Sequence, residues 1–189
     1  MRRERTTAVL ALAALVVACG SSPPVRFFKL DAVEPAASQP ATQALVKVVA
    51  VHIPRLLDRR EVVQQSEANR VTLSGQERWA APLADMIRTV LTQDLVTRLG
   101  AEHVILPDAP APPGTIAVVV DILRFETEPS GAVVFTGSYS FFDSGRDEPR
   151  ARHEVELAEP ARSGDAADQA RAMSVVLGRV ADRIAADLS

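Results

Sequence analysis

The chain has 189 residues, of which 47% are hydrophobic and 24% charged, and its net charge is −3 at pH 7. This length and apolar content fit one domain with a single hydrophobic core. A mildly acidic chain without a basic stripe is a poor candidate for binding nucleic acid, because that requires cationic side chains that displace counterions.

The first predicted element is a secretory signal over residues 1–18. Arg2, Arg3 and Arg5 precede an apolar run from Ala8 to Ala18, which matches the charged and apolar parts of such a signal. The run is too short to span a bilayer, since that takes about 20 apolar residues. Removal of this signal would leave 18 basic and 23 acidic residues, a net charge of −5.

The only cysteine, Cys19, directly follows the small Ala18, with Val16 and Val17 before it. This segment resembles the lipobox of bacterial lipoproteins. In those proteins the cysteine thiol receives a diacylglycerol, the chain is cut before the cysteine, and the new amino terminus is acylated. Three acyl chains would hold the protein on a membrane, because each buried methylene contributes about 0.8 kcal/mol. An inner-membrane retention signal would carry an aspartate directly after the lipidated cysteine, whereas this chain has Gly20 there. By this resemblance the outer membrane and its periplasmic side are favoured. The alternatives are a soluble secreted protein with a free thiol and a mitochondrial presequence.

Two strands and a linker are predicted next. Val25–Leu30 is a compact apolar segment that suits an edge strand. Asp31–Ala44 is rich in Pro and Ala and is typical of a linker. Leu45–Ile53 is dominated by β-branched residues and is apolar on both faces, which favours a central strand covered on both sides, or on one side plus a partner.

A hairpin and a long helix follow. Glu61–Gln65 and Asn69–Leu73 have the composition of two short paired strands. Ser74–Glu77 has the Ser-x-x-Glu spacing of a capping box, which predicts the start of a helix that ends at Gly100 and holds Pro82 in its first turns. The apolar stripe of this helix comprises Trp79, Leu83, Ile87, Val90, Leu91, Leu95 and Leu99.

The second half of the chain predicts a brief strand at His103–Leu106, then a meander and a helix. Thr115–Thr127, Ala132–Phe142 and Arg150–Leu157 are strand candidates separated by turns, so they form an antiparallel meander. Asp165–Leu188 has the periodicity of an amphipathic helix. The predicted fold class is α+β, a two-layer sandwich in which two long amphipathic helices pack on a mainly antiparallel sheet. The second sheet face would be open or partly covered.

No catalytic constellation is evident. His52, His103 and His153 are about fifty residues apart, and none has a histidine or carboxylate at metal-ligand spacing. There is no Gly-x-Ser-x-Gly elbow, and acylation would consume the only thiol. Asp121 lies in an apolar strand and is expected to pair with Arg124 or with a backbone group. The expectation is a protein that is not an enzyme, with no metal and no cofactor beyond the covalent lipid.

Several segments together resemble the PqiC-type lipoprotein family. They are Val51–Arg59, Glu61–Val63, Asn69, Arg78–Leu83 and Asp121–Glu126. The specific pieces are the Ile-Pro-x-Leu-Leu-Asp-Arg and Arg-Trp-x-x-Pro-Leu motifs. Two departures are Phe27–Leu30, where members often carry paired tyrosines, and Glu61, which replaces a common glutamine.

The resemblance implies an auxiliary subunit of an ABC-type or MCE (mammalian cell entry) lipid transport system. Such a protein would be a lipid-anchored outer-membrane lipoprotein on the periplasmic side. It would work beside an MCE-domain protein in phospholipid transport or membrane integrity, without catalysis, and assembly into a homo-oligomer is compatible with the family. The division is then residues 1–18 as signal peptide, 19–44 as lipidated N-terminus with edge strand and linker, and 45–189 as the PqiC-like domain. Other hypotheses are a lipopolysaccharide- or glycan-related adaptor lipoprotein and, less favoured, a periplasmic hydrolase.

Five residues of the resembling segments have two interpretations. In the first, Arg55, Asp58, Arg59, Arg78 and Trp79 form an exposed docking patch for the partner, because tryptophan and arginine dominate interface anchors. In the second, Trp79 is the first core residue of its helix, and Arg59 or Arg78 pairs with Asp58. The core interpretation is preferred for Trp79, and the docking interpretation for Arg55 and Arg59, which follow a strand-ending proline in a loop.

Overall fold

The computed structural model describes residues 23–35, 42–67 and 69–188. The predicted signal peptide and lipobox, including Cys19, lie outside these residues. The described elements are, in chain order, β1 (Arg26–Phe28), β2 (Val46–His52), β3 (Glu61–Glu67), β4 (Arg70–Trp79), α1 (Leu83–Leu99), β5 (Ile116–Thr127), β6 (Ala132–Phe142), β7 (Ala151–Pro160) and α2 (Ala166–Asp187).

The strands form one mixed sheet that is not closed into a barrel. Its order is β1-β4-β3-β5-β6-β7, and β2 also pairs with β5. One edge of β5 pairs along its length with β6. The other edge of β5 pairs with two strands. β2 pairs in parallel with the first half of β5, and β3 pairs with β5 at Thr127. The predicted β5-β6-β7 meander is confirmed, and so is the β3-β4 hairpin, with longer strands than expected.

Both helices pack on the same face of the sheet and against each other. The α1 stripe and the α2 stripe are buried there together with one side of β5. The N-terminus of α2 is capped as its sequence suggests, since the Asp165 carboxylate accepts a hydrogen bond of 2.8 Å from the Asp168 backbone N–H. The predicted two-layer α+β sandwich is therefore confirmed.

The predicted start of α1 at Ser74–Glu77 is wrong. The hydrogen bond between the first and last residues of this segment does form, with an N···O distance of 3.1 Å, but it lies within β4. The backbone of β4 pairs with β3 on one side and β1 on the other, so tertiary pairing outweighs the local capping signal. The helix begins only at Leu83, because Pro82 disfavours the helical conformation at Ala81 and suits the N-cap itself. Trp79 thus ends a strand instead of beginning a helix.

Two further expectations are modified. β2 pairs with β5 along one edge, and on its other edge the described residues offer only a single bridge, between Val46 and Val104. The predicted strand at His103–Leu106 is reduced to that bridge. On β2, Val48 is buried on the helix side while Val49 is exposed on the opposite face of the sheet. The second face of the sheet is therefore partly open.

The segment that follows β1 crosses the pair of helices and is held there by polar contacts; we call Lys29–Glu34 the strap. The Asp31 N–H donates to Ser174 Oγ at 3.1 Å, and the Val33 N–H donates to the Asp94 carboxylate at 2.8 Å. Gly178 of α2 leaves room for this crossing, since a Cβ at that position would lie 2.1 Å from a methyl group of Val33. The strap therefore connects the sheet edge to both helices.

The Arg98 side chain stabilises the crossing of the strap over the two helices. Its guanidinium donates to the carboxylate of Asp182 at 2.7 Å, to the Val33 carbonyl at 3.2 Å and to the Gly178 carbonyl at 3.0 Å. It also lies 3.4 Å from the Asp94 carboxylate, whose side chain is fully buried. Burial raises the pKa of Asp94 to about 6, and the Val33 N–H and the Arg98 charge offset this only in part. The Asp182 side chain is 22% exposed, because it packs against Arg98.

Candidate functional site

A cleft of about 440 Å³ opens beside the edge strand β1, and we call it the β1 cleft. Its lining residues are Phe27, Asp58, Arg59, Arg60, Trp79, Ala80, Ala81 and Pro82. Three of the five predicted docking residues, Asp58, Arg59 and Trp79, therefore come together there. Arg78 precedes the lining segment on β4, and Arg55 is exposed on the loop that carries Asp58.

Backbone hydrogen bonds hold the walls of the cleft together. The Trp79 N–H donates to the Arg60 carbonyl at 2.7 Å, which fixes the loop after β2 against the end of β4. The Ala80 N–H donates to the Phe28 carbonyl at 2.8 Å, which fixes β1 against the same place. Three segments that are distant in sequence thus meet at the point where β4 leads into α1.

The loop between β2 and β3 turns tightly around one buried side chain. Pro54 follows β2, and its carbonyl accepts a hydrogen bond of 2.9 Å from the Leu57 N–H. The Leu57 side chain is buried in the core, which leaves the neighbouring Arg55 and Asp58 exposed. The alternation of one buried and several charged residues explains why this loop presents charge beside the cleft.

Trp79 is only 3% exposed and belongs to the hydrophobic core. It forms part of the inner wall of the β1 cleft from the end of β4. Phe27 has the opposite environment, since it is 62% exposed at the mouth of the cleft. The sequence interpretation missed Phe27 and Arg60 as site residues. For Phe27 a signal was present, because adjacent residues of a strand point to opposite faces, so one of Phe27 and Phe28 must face outward.

Two arginines of this region, Arg59 and Arg78, have no ion-pair partner among the residues that the structure describes. Across the described ranges, neither Arg59 nor Arg78 forms an ion pair with Asp58, and Nε of both arginines is buried without a hydrogen-bond acceptor. An unsatisfied buried donor costs about 1–3 kcal/mol, so such atoms are rare in native structures. With Arg55, Arg60 and Glu61, which pairs in register with Arg78, the region holds four arginines against two carboxylates, a local charge of +2 on an acidic chain. The site can accept an anionic group.

Asp121 does not pair as expected. Its carboxylate contacts His52 Nδ1 at 2.7 Å and the Arg152 guanidinium at 3.6 Å on the open face of the sheet. Arg124 instead binds Glu128 at 2.9 Å. The register of β5 and β6 shifts between Ile122 and Arg124, so Leu123 and Arg124 are both exposed, and Arg124 pairs further along the strand. The expectation of an Asp121–Arg124 pair is wrong.

The other histidines lie in separate places. His103 Nδ1 contacts the Leu99 carbonyl at 2.9 Å, and His153 Nδ1 contacts the Asp187 carboxylate at 3.1 Å. His153 also stacks on the ring of Tyr139, whose hydroxyl donates to Asp187. Within residues 23–35, 42–67 and 69–188, no three His, Cys, Asp or Glu side chains come together as a metal site would require. In the same part of the chain, no helix is long and apolar enough to cross a membrane.

Comparison with solved structures shows the same fold in proteins of low sequence identity. A crystallised uncharacterized protein superposes with a TM-score of 0.73 at 18% identity, covering 88% of this chain and all of its own. Protein XCC0632 from Xanthomonas campestris superposes with a TM-score of 0.62 at 17% identity, covering 84% of this chain and 92% of its own. Among curated proteins, none matches this chain.

The family comparison covers most of the sequence. Residues 28–185 match the family model described as the ABC-type transport auxiliary lipoprotein component. The matched range includes every described element from the end of β1 to nearly the end of α2, and so all the cleft residues except Phe27. The family description implies an auxiliary role beside a transporter at the cell envelope. The chain belongs to the family of ABC-type transport auxiliary lipoproteins.

Proposed function

We propose that the protein is a non-catalytic auxiliary subunit of an MCE-type phospholipid transport system that supports membrane integrity. It would be anchored to the outer membrane through acylated Cys19 and would face the periplasm. The domain would act by contact, held at one membrane while an MCE-domain partner bridges the gap between the two membranes.

One observation supports this proposal above the others. The two most specific PqiC-like motifs, Ile53–Arg59 and Arg78–Leu83, are separate in sequence but form neighbouring walls of the β1 cleft. Motifs that serve only packing would be expected in the core, whereas these place unpaired arginines at the rim of a cleft. That arrangement supports a binding role for the region that characterises the family.

Arg55, Asp58, Arg59 and Arg78 form the proposed docking surface, with Trp79 supporting it from the core. The charge supports contact with an anionic group, since an arginine fork binds carboxylate or phosphate in a bidentate geometry. Catalysis is not part of the proposal, because His52, Asp121 and Arg152 contact one another as a structural cluster on the open face of the sheet.

The test is affinity purification from intact envelopes after brief chemical crosslinking. The proposal predicts repeated recovery of an MCE-domain protein with the wild-type chain. The matched control is the Leu123→Ser variant, which alters a residue that is exposed on the open sheet face, away from the cleft, and should retain the partner. Recovery of the protein alone under mild extraction, or only with lipopolysaccharide- or glycan-related components, would contradict the MCE partnership.

A further inference from the structure

We propose that the β1 cleft binds the anionic headgroups of the phospholipid bilayer that holds the Cys19 anchor, and that Phe27 enters the interface beside them. This inference rests on the proposed function, because it requires a lipid-anchored chain. It names lipid phosphate as the anionic group that the proposed docking surface contacts.

The length of the tether brings the cleft to the membrane. Phe27 follows Cys19 by eight residues, and an extended chain spans at most about 3.6 Å per residue, so the two are at most about 29 Å apart. β1 is paired to β4 from Arg26 onward, so the cleft moves with the end of the tether. An acylated Cys19 would therefore keep this surface within about 29 Å of the lipid headgroups.

The charge of the cleft suits phosphate. Elsewhere in the described chain, the arginines that are not exposed, Arg88 and Arg98, have carboxylate partners. At the cleft, Arg59 and Arg78 have a buried Nε without an acceptor. Arg26, at the same edge, is already neutralised by its contact with Glu77. Among the described arginines that are not exposed, Arg59 and Arg78 are the two without a carboxylate partner, and phospholipid phosphates are acceptors suited to a guanidinium.

The apolar side chains complete an interfacial pattern. Phe27 at the mouth of the cleft and Leu56 on the adjoining loop are both exposed. Aromatic and aliphatic side chains among cations are typical of surfaces that lie in the headgroup region, where the cations attract anionic lipid and the apolar groups leave water. In this proposal the exposed Phe27 side chain contacts the lipid, so it is not an exposed apolar group that promotes aggregation.

Vesicle flotation tests the proposal with the chain from residue 19 onward carrying Cys19→Ser. This chain contains every described element and has no acyl anchor, so binding reports on the surface alone. We expect binding to vesicles that contain phosphatidylglycerol, little binding to pure phosphatidylcholine vesicles, and loss of binding at high salt. The double variant Arg59→Gln/Arg60→Gln should weaken binding by about fivefold per arginine, and Phe27→Ser should weaken it further.

The control is Arg146→Gln, an exposed arginine on the β6–β7 loop, which should bind as the wild type does. Unaltered thermal unfolding of each variant shows that binding, not folding, has changed. Binding that ignores headgroup charge, or that survives the Arg59/Arg60 double variant, overturns the proposal. It is equally overturned if inorganic phosphate alone binds and vesicles do not, or if the arginines are needed only to recover an acidic protein partner. Fatty-acid labelling of Cys19 is measured separately, so a failure of membrane contact is distinguishable from a failure of the anchor.

Discussion

The guanidinium of Arg98 donates to three backbone carbonyls and lies against two carboxylates, whereas that of Arg59 has a buried Nε with no acceptor. The Arg98 side chain is 1% exposed and joins the strap to both helices. Arg59 lies at a cleft lined by charged and aromatic side chains. Both arginines lie near the segment that leads from the anchor, yet only the first is satisfied by the fold.

This difference separates a structural arginine from one that is available to a ligand. Arg98 lies among buried charges that are paired and hydrogen-bonded, so the fold depends on it. Arg59 adds little to stability, because it makes no ion pair in the described chain. A family motif that retains an unsatisfied arginine beside a cleft is more easily explained by binding than by packing.

Removal of the structural arginine should have the largest effect. Arg98→Met leaves the carboxylates of Asp94 and Asp182 without their cation, and breaking a buried pair in this way typically costs about 3–5 kcal/mol. The free energy of unfolding from urea titration measures the loss. Arg88→Met on the same helix is the control, because that arginine is partly exposed and should cost much less. Equal losses for the two variants would contradict a special role for Arg98.

The second-largest effect is expected in the pH dependence of the free energy of unfolding, through Asp94 of the same cluster. The folded-state pKa of Asp94 is about 6, above its ordinary value of 3.8, so the folded protein holds this proton more tightly than the unfolded chain. The stabilisation is present below pH 3.8 and is lost as pH rises through 6. Between pH 4 and 7 the wild type should lose about 2 kcal/mol more than Asp94→Asn.

Urea titrations of both proteins at several pH values measure that difference. Asp85→Asn, at an exposed carboxylate of the same helix, should follow the wild type. A wild type that gains stability relative to Asp94→Asn as pH rises would show that ionised Asp94 is favoured in the fold.

The crossing of the strap over α2 depends on the absence of a side chain at Gly178. Gly178→Ala places a Cβ within 2.1 Å of Val33, so the strap must move, and overpacking of this kind costs about 1–3 kcal/mol. Hydrogen exchange at the Val33 amide should also accelerate, because its bond to Asp94 lengthens. Gly164→Ala meets nothing within 4 Å and should change neither quantity; an equal effect there would argue against the packing explanation.

The smallest effect on stability is expected at the cleft. Arg59→Gln removes a cation that no described residue pairs with, so the free energy of unfolding should fall by no more than about 0.5 kcal/mol from wild type. Urea titration beside Arg98→Met provides the comparison directly. A loss above 2 kcal/mol would mean that Arg59 supports the fold, and the contrast between the two arginines would disappear.

The parts of the fold that the sequence predicted well are those with strong local patterns. β5, β6 and α2 have clear periodicity and are bounded by turn or capping residues, so local signals sufficed. The Ser74–Glu77 segment gave a wrong prediction of a helix start, because its hydrogen bond between the Glu77 N–H and Ser74 Oγ also forms within β4. There, pairing with two distant strands determines the backbone conformation.

The cleft could be predicted only in part, for the same reason. Arg59 and Trp79 were identified through the motifs that contain them. Phe27 and Arg60 join them through the docking of β1 and of the β2–β3 loop on β4, and no local pattern encodes that docking. The burial of Asp94 likewise depends on a strap more than sixty residues away in sequence.

The central claim is that a lipid on Cys19 holds this domain at a membrane, and fatty-acid labelling in growing cells tests it most directly. The account predicts that the wild-type chain is labelled, shortened by its signal peptide and recovered in the outer-membrane fraction. Cys19→Ala should remain unprocessed and unlabelled. Normal labelling of Cys19→Ala, or a wild-type chain that carries no lipid, would contradict the account.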